Sequence, residues 1–167
     1  IAKANKLLKK KAYLDVHTEL PNKSRCEELL QNSEFLSEST VCLMFDLNNL
    51  KIVNDSLGHA AGDSLISNFA RILRNVVLAK DFVGRFGGDE FMVVIYNTSK
   101  TEIEDILKQL SREKDRLNSS GNNMPIDYAC GWAISDADSE CTIQMLLDKA
   151  DYYMYENKQA YKKSKKS

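Results

Sequence analysis

The chain has 167 residues, 43% of them hydrophobic, with 23 lysines and arginines against 24 aspartates and glutamates for a formal net charge of −1. That is long enough to bury roughly two-thirds of the unfolded surface in one domain, and the sequence shows no bilayer-length apolar run and no signal-peptide core. The charge is uneven: residues 1–13 and 157–167 each carry five lysines and no acid, leaving 13 basic and 24 acidic residues between them, a net of about −11 that makes a poor nucleic-acid surface.

Ile1 to Leu14 is helix-prone, with Ile1, Ala4, Leu7, Leu8 and Leu14 on a loosely apolar side, and Pro21-Asn22 breaks it. Lys23 to Phe35 forms the next helix, followed by a strand from Val41, a short helical segment from Asn49 to Ser56, and a long amphipathic helix from Ala60 to Val77 after Gly58. Two β-prone runs around Gly87-Gly88 read as a tight hairpin, with the glycines entering positive-φ turn conformations. A helix from Thr101 to Leu117, a loop to Met124, a strand from Asp127 to Ser135 and a helix from Thr142 to Asn157 complete the order. This alternation fits an α/β sandwich with a mixed, mostly antiparallel sheet of about five strands. Cys26, Cys42, Cys130 and Cys141 show no metal-binding spacing and read as reduced core residues of a cytoplasmic protein.

Asp89 and Glu90 leave the Gly-Gly turn side by side, where their repulsion costs energy, and adjacent acids beside bare backbone suggest a cation meeting a phosphate. Asp46 lies near the end of the run Val41-Cys42-Leu43-Met44-Phe45-Asp46-Leu47, which is apolar on both faces like a central strand. An unpaired carboxylate is expensive inside such a strand, but reasonable at its end facing a metal. A helix cap at Asp46 and a solvated turn at Asp89 and Glu90 are the bland alternatives. The convergence of all three favours hard oxygen ligation of Mg²⁺.

Arg85-Phe86-Gly87-Gly88-Asp89-Glu90-Phe91 resembles the signature of the GGDEF family of diguanylate cyclases. Phe45 to Asp55, followed by Gly58-His59-Ala60-Ala61-Gly62-Asp63, is similar to that family's second block, and Asp15-Val16-His17-Thr18-Glu19-Leu20-Pro21-Asn22 to its first. The resemblance runs in family order over nearly the whole chain. It divides the chain into a stalk helix at 1–14, a GGDEF domain at 15–162 and a basic tail at 163–167. It implies a palm-like fold in which the end of the Asp46 strand lies beside the Gly-Gly hairpin at the active site. The implied reaction joins two GTP molecules into cyclic di-GMP with release of pyrophosphate, assisted by Mg²⁺ or Mn²⁺, two per GTP. Asp46, Asp89, Glu90 and the Leu47 carbonyl are the implied metal ligands. Asp89 and Glu90 are the catalytic candidates, with base and ligand roles for Asp89 both open. A GTP-binding regulatory domain without turnover is the alternative.

The same resemblance places Gly87 and Gly88 against phosphate, Lys51, Lys158 and Lys162 at the triphosphate, and Asn54 and Asp63 at guanine. Asp63 can accept from guanine N1–H and the exocyclic amine, a pattern adenine lacks. Asn54 and Asp63 also read as ordinary helix-terminal polar residues, and His59 either contacts the ligand or packs near the helix start. Several positions depart from the family: Lys162 replaces an arginine, Tyr161 a glycine, Asn48 an aspartate, His17 a leucine and Glu19 a glycine that serves a turn. At the product-inhibition site Leu78 stands where an arginine binds cyclic di-GMP, while Asp81 is present. Inhibition is therefore expected to be weak unless Arg74, one turn away, substitutes. One domain presents one nucleotide, so activity implies a transient homodimer. The start at Ile1 suggests an upstream sensor domain, through which a full-length protein could be anchored to a membrane, with no membrane contact expected within this fragment.

Overall fold

A computed structural model describes residues 1–121, 124–136 and 138–166. The expected loop to Met124 and the basic tail therefore lie partly outside the described residues. Six helices and four strands follow in the order α1 (Ala2–Tyr13), α2 (Lys23–Leu30), β1 (Thr40–Leu47), α3 (Leu50–Leu57), α4 (His59–Val76), β2 (Phe82–Arg85), β3 (Glu90–Tyr96), α5 (Lys100–Ser119), β4 (Tyr128–Ile134) and α6 (Ile143–Lys166). The strands form one sheet in the order β2-β3-β1-β4, and every pairing among the described residues is antiparallel. Among the described residues the sheet thus has four strands instead of about five, and no parallel pair.

The two-residue period of a strand sorts the core into two layers. Val41, Leu43, Phe45 and Leu47 of β1 share one layer with Phe91, Val93 and Ile95 of β3 and with Leu65, Phe69 and Leu73 of α4. At its centre Phe69 meets Phe45 and Phe91 edge-on, with ring centroids 5.7 and 5.0 Å apart. Cys42 and Met44 turn the other way, into a layer with Met92 and Val94 and with Leu146, Leu147, Ala150 and Met154 of α6. Continuing each alternation puts Asp46 and Glu90 on the α6 side of the sheet, directly opposite one another in the ladder. The four cysteines are unpaired, and burial pushes the Cys26 thiol up to about 12.

Local chemistry explains where helices start and stop. The Asn22 side chain caps α2 by accepting from the Arg25 amide, and Ser99 and Glu102 form a reciprocal capping box on α5. Gly58, at φ 91°, turns the chain between α3 and α4. Helix α2 ends at Leu30, short of the expected Phe35, because the Asn32 side chain accepts from the Glu34 amide and competes with the helical ladder. Helix α6 passes Asn157 and continues to Lys166. Asn157 does not stop it, because its side-chain amide donates sideways to the Cys130 carbonyl of β4 at 2.7 Å. Gly131 allows that approach, since a Cβ there would strike the Met154 amide and the Ala150 carbonyl.

Candidate active site

Asp46 is the second-last residue of β1, at 7% exposure and on the face that α6 covers. Its Oδ2 accepts from the Lys158 ammonium at 2.7 Å, and its Oδ1 is buried without a partner among the described residues. The Leu47 amide donates to the Asp89 carbonyl at 2.8 Å, which ties the end of β1 to the residue before β3. Asp89, Glu90 and Asp46 therefore crowd one sheet end. Burial, then the Asp46 charge beside it, raises the Asp89 carboxyl above its ordinary value. Glu90 is raised by burial, then by Asp46, Asp89 and Asp151, while Lys158 pulls both acids back down.

A half-satisfied buried carboxylate among repelling acids is a site that gains from a divalent cation, and its donors are hard oxygens suited to Mg²⁺. No three acid, thiol or imidazole groups among the described residues converge tightly enough to hold a metal unaided. Magnesium bound by one or two carboxylates takes its other ligands from water and phosphate, so the group fits a nucleotide-loaded site.

The phosphate side lies next to the acids. A cleft of about 620 Å³ is lined by Leu47, Lys51, Asp89, Lys158, Tyr161 and Lys162, together with Lys165 and Lys166. Gly87 and Gly88 do not adopt positive φ. The last β2–β3 pair is Arg85 with Phe91, and the Phe86 and Gly87 amides both donate to the Glu90 carbonyl, so the connection is longer than a two-residue turn. What these glycines supply is space: a Cβ at Gly88 would meet nothing within 4 Å, whereas one at Gly87 would press on Glu90. The turn is held from behind. Arg85 grips Asp15 at 3.0 and 3.2 Å and donates to the Gly88 carbonyl at 2.7 Å.

Residues 12–164 match the family described as "Diguanylate cyclase, GGDEF domain". The chain belongs to the GGDEF family. It is 32% identical over 167 residues to the signalling protein YkoW of Bacillus subtilis, covering 96% of this chain and 21% of that protein. It is 29% identical to diguanylate cyclase A of Treponema denticola over 73% of this chain and 33% of that one. The GGDEF chain thus spans no more than a third of the length of these curated relatives. A microbial GGDEF domain solved for its interaction with bis-(3,5)-cyclic di-GMP superposes with a TM-score of 0.76 at 28% identity, covering 92% of this chain and 94% of that one.

Three of the remaining GGDEF positions form a second group. The Asn54 side chain lies against Gly62, beside Asp63, so the two base-reading candidates are neighbours on α3 and α4. His17 joins them, its Nδ1 3.9 Å from the Asp63 carboxylate, and sequence reasoning missed it because its neighbour lies 46 positions away. His59 is exposed in the first turn of α4. Asn48 is buried and donates to the Asp127 carboxylate at 3.3 Å, a structural tie to the start of β4. Asp81 accepts from the Tyr96 amide at 3.1 Å, capping the hairpin edge. Arg74 donates to the Thr18 carbonyl, which directs its guanidinium to the first-block loop. Asp15 and Arg85 were also missed as a pair. The signal was available, since each sits inside a recognised block.

Proposed function

We propose that this GGDEF domain condenses two GTP molecules into cyclic di-GMP, releasing two pyrophosphates, with the domains of a transient homodimer each presenting one nucleotide. The observation that carries this reading is the meeting of Asp46, Asp89 and Glu90 beside a lysine-lined cleft. Asp46, Asp89, Glu90 and the Leu47 carbonyl would hold Mg²⁺ or Mn²⁺, two per GTP. Bound there, the divalent ions supply Lewis acidity that acidifies the attacking 3′-hydroxyl and offsets phosphate charge.

The chain's own groups do the rest. Lys51, Lys158 and Lys162 draw the triphosphate into the cleft as point charges. Gly88 lets phosphate approach the turn, and the Asp15–Arg85 clamp fixes the height of that turn. Asn54, Asp63 and His17 select guanine through donors and acceptors that adenine mismatches. A raised carboxyl at Asp89 is suited to accept the 3′-hydroxyl proton when no cation occupies that oxygen. Helix α1, which buries none of its residues, is the expected route from an upstream sensor domain. No helix among the described residues is long and apolar enough to cross a membrane.

The competing reading is GTP binding that regulates a neighbouring domain without turnover, favoured by the short span of this chain within its relatives. Concentrated protein incubated with GTP and Mg²⁺, beside an Asp89→Ala control, separates the two. Cyclic di-GMP formed by wild type and lost in the variant is the expected result. Nucleotide binding with no product from wild type selects the regulatory reading.

A further inference from the structure

We propose that Lys158 is an internal counter-ion that keeps a divalent cation off Asp46 until a triphosphate draws its ammonium into the adjoining cleft. This rests on the reading of Asp46 as a cation ligand and of the lysine cleft as the triphosphate site. Lys158 Nζ is 2.7 Å from Asp46 Oδ2, with side chains only 29% and 10% exposed. The same ammonium is felt by Asp89 and Glu90, so it sits among the acids that a cation would use.

A second positive charge arriving at Asp46 meets repulsion from this ammonium at short range, in surroundings that screen poorly. The resting place of Lys158 therefore lowers metal affinity in the nucleotide-free protein. The base of the side chain cannot shift far. Its neighbour Asn157 pins α6 to β4 through the Cys130 carbonyl, and Ala129, one residue earlier in β4, pairs with Asp46. What can move is the four-carbon stem, and a lysine ammonium rotates freely on it. Lys158 also lines the cleft that contains Lys51 and Lys162, so phosphate oxygens there offer it a partner of the same charge as Asp46. Moving from one to the other frees Oδ2 beside the already unpartnered Oδ1. Nucleotide and cation then favour each other through one side chain, and the coupling is reciprocal. The device orders loading: in an empty site the Asp46 charge is offset by its own lysine, and a filled site has the metal where the lysine stood.

The test counts bound Mn²⁺ from the paramagnetic resonance of the free ion, in the absence of nucleotide, on the full 167-residue chain. Lys158→Met is expected to tighten Mn²⁺ about fivefold or more, or to make binding measurable where wild type shows little. Lys158→Arg, which keeps the charge, should stay at the wild-type value. Lys158→Gln, whose amide still donates to Asp46 while carrying no charge, gives the same tightening should the methionine variant fail to fold. Unchanged or weaker Mn²⁺ binding in both neutral variants would overturn the proposal. Asp46→Asn in wild-type and Lys158→Met backgrounds separates the two layers. Loss of Mn²⁺ binding in both upholds Asp46 as the ligand. Retention in both removes the underlying reading, and the counter-ion with it.

Discussion

Two residues at the turn carry opposite electrostatic signs of strain and relief. The Asp89 carboxyl stands above its ordinary value, first through burial and then through the charge of Asp46. A carboxyl raised in the folded state binds its proton more tightly there than in the unfolded chain. Its stabilising proton is present at acid pH and is lost as pH rises from the unfolded value through the raised native one. Asp89→Asn should therefore match wild type near pH 3, below the unfolded value of about 3.9, and exceed it in denaturation midpoint by about pH 7, measured in chelator; a constant difference across that range would contradict this. Asp15 runs the other way. Burial would raise it, but hydrogen bonds from Thr18 and the Arg85 guanidinium outweigh that and hold it low, so its contribution fades as pH falls from the ordinary carboxylate value through that lowered one. Arg85 makes two uses of its planar fork, on Asp15 and on the Gly88 carbonyl, and lysine cannot serve both. Arg85→Lys should cost about 1 kcal/mol in urea denaturation and roughly tenfold to a hundredfold in kcat. An equal KM and unchanged kcat would show that the turn holds itself.

Two glycines test how elements carry the site. A Cβ at Gly62 would meet the Asn54 side chain, which supplies all three of its nearest contacts. Gly62→Ala should then gain helix stability, by up to about 1 kcal/mol, while KM for GTP rises about tenfold from one displaced base contact. Gly131→Ala should do the reverse. Its Cβ would meet the backbone of α6, costing roughly 1–3 kcal/mol and lifting the helix that delivers Lys158 to Asp46. Urea melts and steady-state kinetics on both variants give opposite patterns if α4 reads the base and α6 delivers the lysine. Sequence alone reached this far where the signal was local. The apolar run of β1 placed Asp46 at a strand end, and the first-block position held by Glu19 is indeed left-handed, at φ 58°, which is where the family's glycine serves the turn. It failed where a tertiary partner decides. Asn157 ends a helix in isolation, yet here it is occupied by the Cys130 carbonyl. The amide that Asp81 accepts from, on Tyr96, lies 15 positions away and was equally out of reach of the sequence. Gly87 and Gly88 suggested positive φ, which the longer turn does not need.

At the scale of the molecule, one domain offers one cleft of about 620 Å³ with one set of acids, while the proposed reaction consumes two triphosphates whose 3′-hydroxyls attack each other's α-phosphorus. Neither nucleotide can supply both partners from a single site, so turnover requires two domains face to face. The largest fully buried apolar groups are consumed within the two layers around the four-stranded sheet. Helix α1 differs. It buries none of its residues, and Ile1, Leu7 and Leu8 stand more than half exposed along it, leaving an apolar side that another helix would cover. Twelve residues give too few turns for a stable pair in isolation, so association of this chain is expected to be weak and set by concentration. Product formed per domain should rise steeply with protein concentration over the micromolar range. Fusing a parallel two-stranded coiled coil in register ahead of α1 should restore activity at dilutions where the unfused chain is silent. A flat specific activity down to nanomolar protein, with no gain from the fusion, would mean that the domain does not work through transient pairing.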